Sequence, residues 1–327
     1  MRGLFLALGL LAGAAQAEPG LPEELRLMSE YPVSGMPAGH LSGLALCGET
    51  LWAVSDREDD RLYQLLPEDG VLRAEAEFFS APNPPESQLP WGLRMRNWAA
   101  ALVRGGALDF EGLSCDAQGN RYLVSETRAA VLRLATNGSV EWLRLPRALV
   151  RQSRASGMLL HFNHGFEGIA VDSAGERLWL AAEQKRRGLA VLHGRNNNWR
   201  CSGGCVLTSE GGERASPEAL GGHSAPLDFS GLAYFNEKLF TLERQAHRIC
   251  RRNLSEGEME LCWSFATEAL TDNRHYAVDY GMAEALWIDK DGAWIGVDNG
   301  GLSRADGEQR PIVWRFAAPR GGWSRRP

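Results

Sequence analysis

The sequence predicts an all-β fold: a five-bladed β-propeller closed by an N-terminal strand that completes the last blade. Three observations carry that prediction. A short hairpin pattern recurs five times along the chain. Its starts are 54 to 69 residues apart, a period at which strand-built repeats form propellers. The last copy lacks an outer strand, and a spare strand precedes the first.

The clearest copy is Leu108 to Thr127. Glu111-Gly112-Leu113 opens one strand, Asp116 to Asn120 makes a turn, and Tyr122-Leu123-Val124 forms a second strand ending at Glu126. The first copy runs from Ser42-Gly43-Leu44 to Asp56, and the third from Glu167-Gly168-Ile169 to Glu183. The fourth runs from Ser230-Gly231-Leu232 to Glu243, and the fifth from Glu284-Ala285-Leu286 to Asp298. Each begins with Ser or Glu, then a small residue, then an aliphatic one. Each ends on Asp or Glu 13 to 16 residues later.

Taken in order, the chain opens with a secretory leader over residues 1–17. Arg2 supplies the basic end, Leu4 to Ala15 the apolar run, and Ala15-Gln16-Ala17 the cleavage site. The run is too short for a membrane anchor. Export to the periplasm or the medium follows, with a single propeller domain over 18–327. Six Cys remain in the mature chain, an even number suited to an oxidising compartment. The expected pairs are Cys47 with Cys115, Cys201 with Cys205, and Cys250 with Cys262. The strand at residues 24–30 has no local partner. Outer strands follow each hairpin at 61–66 and 71–79, 130–135 and 140–145, 189–192 and 206–208, and 247–252 and 258–265. The fifth copy has only 312–316, so the spare strand closes the ring and removes an exposed edge. Residues 81–106, 146–165, 210–226 and 267–281 read as loops. Trp91, Trp98 and Tyr276 on them read as anchors against the blades, and His161, His164, His223 and His275 as solvated.

Composition limits the partners. Net charge is −6, or −7 once Arg2 leaves with the leader, which gives no support for a nucleic-acid polymer. No stretch after the leader is long enough to span a membrane, and no membrane partner is expected.

Antiparallel pairing puts the start of the first strand beside the end of the second. Ser42, Glu111, Glu167, Ser230 and Glu284 therefore converge on the central channel. Three glutamates there repel one another and call for a cation, and hard oxygen donors select Ca2+. The bland alternative is that these groups bind backbone N–H donors and serve blade packing. On the same rim Asp56 is followed by Arg57, Glu126 by Arg128, Glu183 by Lys185, and Glu243 by Arg244, with Asp298 in the fifth copy. Cations beside carboxylates suit a small phosphorylated anion, although salt bridges between blades would use the same residues.

The copies DFEGLSCDAQGNRYLVSET, NHGFEGIAVDSAGERLWLAAEQ and MAEALWIDKDGAWIGVDNG resemble the repeats of the phytase-like family, "esterase-like activity of phytase", across residues 38–317. The order Ser, Glu, Glu, Ser, Glu also resembles the axial calcium ligands of calcium-activated nucleotidases (apyrases), which are five-bladed propellers. The resemblance implies calcium at Ser42, Glu111, Glu167, Ser230 and Glu284, and hydrolysis of a phosphate ester or anhydride at the channel mouth. Asp56 and Glu126 are the candidate general bases. Arg57, Arg128, Glu183, Lys185, Glu243, Arg244 and Asp298 are the candidate substrate contacts. No G-x-S-x-G elbow is present to make a serine nucleophile. The competing expectation is a non-catalytic binding propeller in which calcium stiffens the channel.

Overall fold

A computed structural model describes residues 22–325 apart from Ala38 and Asn196. The leader expected at 1–17 lies outside the described residues. The architecture is all-β and propeller-like. The first sheet is Leu41–Cys47, Thr50–Ser55, Arg61–Glu68 and Val71–Phe78. The second is Phe110–Cys115, Arg121–Ser125, Ala130–Leu134 and Val140–Trp142. In the third, Phe166–Val171, Arg177–Ala182 and Arg186–Arg195 are followed by Asn198–Arg200 and Val206–Gly211, both paired to Arg186–Arg195. The fourth is Gly231–Phe235, Lys238–Glu243, Arg248–Arg252 and Met259–Ser264. Ala283–Asp289, Gly292–Val297 and Ile312–Ala317 begin the fifth, and Leu27–Ser34 completes it by antiparallel pairing with Ile312–Ala317.

From Leu27 the spare strand does what its lack of a local partner predicts, but it runs to Ser34 rather than stopping at residue 30, and Glu23–Glu24, at its expected start, pairs in parallel with Met259–Ser264 of the fourth sheet instead. Pro32 sits near its end, after which Val33 and Ser34 change partner and pair in parallel with Leu72 and Arg73. Proline is tolerated at such a change of partner because the ladder is interrupted there anyway. The strand thus bonds the fifth sheet to the first.

The first strands of the sheets adjoin one another in cyclic order. A hydrophobic cluster fills each junction: Leu62 and Leu123 between the first and second sheets, Val124 and Leu180 between the second and third, and Trp179 and Leu232 between the third and fourth. Trp263 and Phe316 fill the next junction, and Leu41 and Val313 close the circle. Both faces of each inner strand are buried, so these strands read as near-continuous apolar runs. The small residue of each copy lets the inner strands meet. A Cβ on Gly112 would lie 2.6 Å from the carbonyl oxygen of Glu167, and one on Gly168 would lie 2.9 Å from the backbone nitrogen of Leu232.

Two stretches read as loops contain helices of two turns or more, Trp91–Arg104 and Ala148–Ala155, while 267–281 opens on a single helical turn, Ala266–Ala269. Each of the two longer helices follows a proline, Pro90 or Pro146, and is itself proline-free and rich in Ala, Leu and Arg, which favour helix. The stretch 210–226 likewise holds a small hairpin, Glu213–Ala215 with Ser224–Pro226. Among the described residues no helix is long and apolar enough to cross a membrane.

All three expected disulfides are present. Cys47–Cys115 ties the first sheet to the second, Cys201–Cys205 closes one loop, and Cys250–Cys262 joins residues directly opposite on paired strands. Chain-entropy arguments give about 4 kcal/mol for the long Cys47–Cys115 loop and about 2 kcal/mol for the short Cys201–Cys205 loop. We predict that Cys47→Ala with Cys115→Ala costs more stability in urea denaturation than Cys201→Ala with Cys205→Ala. Equal losses would contradict this ordering.

Candidate functional site

Sequence register aims the axial side chains. In the first hairpin Leu41 pairs with Ser55 and Gly43 with Val54, so Ser42 is bulged out of the ladder. The same slip occurs at Glu111, Glu167 and Glu284. A bulge re-aims one side chain while the strand continues. Ser42, Glu111, Glu167 and Glu284 accordingly line one narrow channel, with a volume of ≈ 10 Å3, about the room for one water or ion. Ser230 differs: its strand begins after it, and its hydroxyl donates to the Ala283 carbonyl at 2.7 Å. The Ser42 hydroxyl donates to the His40 carbonyl at 3.2 Å.

The channel mouth has two electrostatically distinct halves. On one side Arg244 donates to Glu183 and to Glu284, and its Nε lies 3.7 Å from Asp228. Asp228 also accepts the backbone N–H of Arg244 at 2.9 Å. Burial would raise the Glu183 carboxyl, but Arg244 and His164 hold it below its ordinary value. Arg244 is therefore committed to neutralising acids, which makes it a positioning group more than a free anion contact.

On the other side Asp56, Asp109 and Glu111 have carboxylate oxygens within 4.8 Å of one another. Arg104 pairs with Asp109, and Arg57 lies 3.4 Å from Asp56. Those cations leave oxygens over: Asp56 Oδ1 and Asp109 Oδ1 are buried without a partner, as is Glu167 Oε2. Burial pushes the Asp109 carboxyl up to about 8, reinforced by Glu126 and opposed by Arg104. It pushes Asp56 up to about 6 against the pull of Arg57 and His40. Glu111 is raised well above its ordinary value by burial and by Asp109, Asp56, Glu126 and Glu284. Burial also raises Glu284 to about 8 in spite of Arg244. Asp109 has φ +55°, a left-handed backbone that costs a non-glycine residue of order 1 kcal/mol.

The remaining rim residues divide the same way. Glu126 accepts the Gly165 N–H at 2.8 Å. Glu183 takes His164 Nδ1 at 2.8 Å, and Asp298 takes His40 Nδ1 at 3.2 Å. Glu243 is buried under Arg187, Arg248 and Arg252, turned into a structural ion-pair network rather than toward the mouth. Among the described residues Arg128 and Lys185 form no ion pair. Sequence reading missed Asp109, although a signal was present. Leu-Asp-Phe precedes the small-residue motif twice, at 108–110 and 227–229, and both of its aspartates are buried at the mouth.

The donors of Asp56, Asp109 and Glu111 are all hard oxygens, two of them orphaned and buried. That chemistry fits a hard divalent cation of the calcium type and offers nothing a soft metal would prefer.

A model of the phytase-like family, described as "Esterase-like activity of phytase", matches residues 36–201, a span that contains this acidic cluster. No curated protein matches the chain. Among solved structures the chain is similar to glutaminyl cyclase of Myxococcus xanthus, at 9% identity and TM-score 0.47 over 90% of this chain and 97% of that one. It is also similar to a Bacteroides thetaiotaomicron protein of unknown function, at 10% identity and TM-score 0.45 over 90% and 73%. A third similar structure is virginiamycin B lyase of Staphylococcus aureus, at 11% identity and TM-score 0.41 over 90% and 100%.

Carboxyls with raised pKa stabilise the fold only while protonated. Their contribution is complete below the unfolded value near 4 and is lost as pH climbs through about 6 for Asp56 and about 8 for Asp109. A cation that replaces the protons removes that loss. The melting temperature in calcium minus that in chelator should therefore widen from pH 5 to pH 8. A gap that stays constant or narrows would contradict the cluster as the cation's binding site.

Proposed function

Because this chain belongs to the phytase-like family, we propose that it is an exported, calcium-dependent hydrolase of phosphate esters or anhydrides, acting at the acidic mouth of a single five-bladed propeller. The observation that carries the reading is the set of buried, unpartnered carboxylate oxygens at Asp56 and Asp109 beside Glu111, with Arg57 and Arg104 at its edge. The cyclic order of inner strands, one core at each junction and Leu27–Ser34 as closing strand support five blades. Three disulfides support export, since such bonds persist in oxidising compartments. The leader over 1–17 supports the same destination.

In this reading Asp56, Asp109 and Glu111 hold the ion, with Glu167 next along the channel. Glu284 belongs to Arg244 instead, and Ser42 and Ser230 shape the ring. The ion would neutralise phosphoryl charge and lower the pKa of a bound water. Glu126, whose carboxyl burial raises, accepts the proton of the attacking water. Asp56 changes role here, from candidate base to ligand. Arg57 and Arg128 orient the anion, with Lys185 at the outer rim. Arg244 fixes Glu183 and Glu284 and lowers the negative charge of the far half of the mouth.

Phosphate release from nucleotides, pyrophosphate, phytate and an aryl phosphate, with calcium and with chelator, tests this reading. We expect calcium-dependent release from at least one of them. Glu126→Gln should lower kcat by about a hundredfold while the calcium-dependent rise in melting temperature persists. Glu111→Gln should weaken both. Release from none of the panel, with that rise intact, would replace the hydrolase by a binding propeller with a structural ion.

A further inference from the structure

The helix Trp91–Arg104 is built inside out. An amphipathic surface helix turns its apolar stripe inward. Here Leu93, Arg94, Asn97, Ala100, Ala101 and Arg104 are the partly covered positions, and no residue of the helix is buried. Trp91, Met95, Trp98 and Leu102 follow one another at spacings of four, three and four, which places them on one face. That face points to solvent: Trp91 is 70% exposed, Trp98 59% and Leu102 69%. Of the eleven large exposed apolar side chains among the described residues, five lie on this helix. Such concentration marks a contact surface rather than scattered surface apolarity. The expectation that Trp91 and Trp98 anchor a loop is therefore corrected, whereas Tyr276, 7% exposed, does anchor its own.

The surroundings of the stripe are basic. Pro90, at the start of the helix, borders an open groove shared with Arg147, Arg151 and Arg154 of the neighbouring segment. Arg147 and Arg151 are exposed and, among the described residues, form no ion pair. Arg96 is exposed beside Phe162, its guanidinium 5.8 Å from the ring centre. Glu86, which also lines the groove, is engaged by Arg94. Leu160, two residues before Phe162, is 44% exposed. A chain of net charge −6 thus gathers unpaired arginines around its most exposed tryptophans.

We propose that this face docks on an anionic lipid surface, with the helix lying in the interface and the arginine groove against headgroup phosphates. Charge complementarity selects that occupant. Trp and Leu on one side with Arg at the margins is the composition of an interfacial helix, and tryptophan favours the headgroup level. The helix lies in the membrane surface and does not cross. Docking also orients the molecule. Arg104, in the last turn, pairs with Asp109 and donates to Asn163 at 3.1 Å, while Asp59 accepts the N–H groups of Ala107 and Leu108 at 2.8 and 2.9 Å. The helix is thereby fastened to the acidic cluster, and docking holds that cluster beside the lipid. The proposal does not depend on the hydrolase reading.

The test is co-sedimentation of the calcium-loaded mature chain with phosphatidylglycerol vesicles and with phosphatidylcholine vesicles, alongside tryptophan emission. We expect binding to the anionic vesicles with a blue shift, weakened by salt, and little binding to the neutral ones. Trp91→Ser with Trp98→Ser should weaken it about tenfold or more, and Arg147→Glu with Arg151→Glu should remove the preference for anionic lipid. These side chains are exposed, so an unchanged calcium-dependent melting temperature certifies that each variant is folded. No binding to anionic vesicles at low salt would overturn the proposal. So would binding that survives the double tryptophan change, or a wild-type dimer in solution that this change dissociates.

Discussion

Mutual repulsion among buried carboxylates is the constraint on which the rest of this structure depends. Inner strands that touch backbone to backbone, as Gly112 and Gly168 allow, bring the starts of neighbouring copies together. Bulges at Ser42, Glu111, Glu167 and Glu284 then turn those residues toward one channel. Close packing alone would leave an array of like charges in a poorly solvated space. Such an array persists only if protons, arginines or a metal ion balance it.

The two halves of the channel mouth meet this requirement differently. Arg244 supplies an internal cation to Glu183, Asp228 and Glu284. Around Asp56, Asp109 and Glu111 the available arginines sit at the edge, and carboxylate oxygens remain unpartnered. The contrast is what makes the second cluster a functional candidate. Arg57 and Arg104 pair with Asp56 and Asp109, yet one oxygen of each carboxylate stays buried without a hydrogen-bond donor, and those oxygens are the ones that can take a ligand from solution. The left-handed backbone at Asp109 belongs to the same picture, because strain is retained where the surrounding structure fixes a side chain in place.

Much of this was legible in the sequence because it is periodic. The five copies, the spare strand and the cysteine positions each follow from spacing, and the three disulfides join the expected residues, one within a loop and two where strands or neighbouring copies meet. What the period did not reveal depends on departures from it. Asp109 precedes its motif in a place occupied by His40, Gly165, Asp228 and Met282 in the other copies, so comparing copies averaged it away. The role of Arg244 was hidden because a neighbour in sequence, Glu243, points into a different ion-pair network. The helix at Trp91–Arg104 escaped because its prolines lie before it and its apolar stripe faces outward, against the rule by which such segments are read.

The most direct test of the account is the position of the ion. A crystal of the mature chain grown with calcium, or with strontium as a stronger anomalous scatterer, gives that position without reference to any activity. The account predicts an anomalous peak about 2.3 to 2.6 Å from oxygens of Asp56, Asp109 and Glu111. A peak elsewhere in the molecule, or an ordered channel mouth with no peak at saturating calcium, would contradict it.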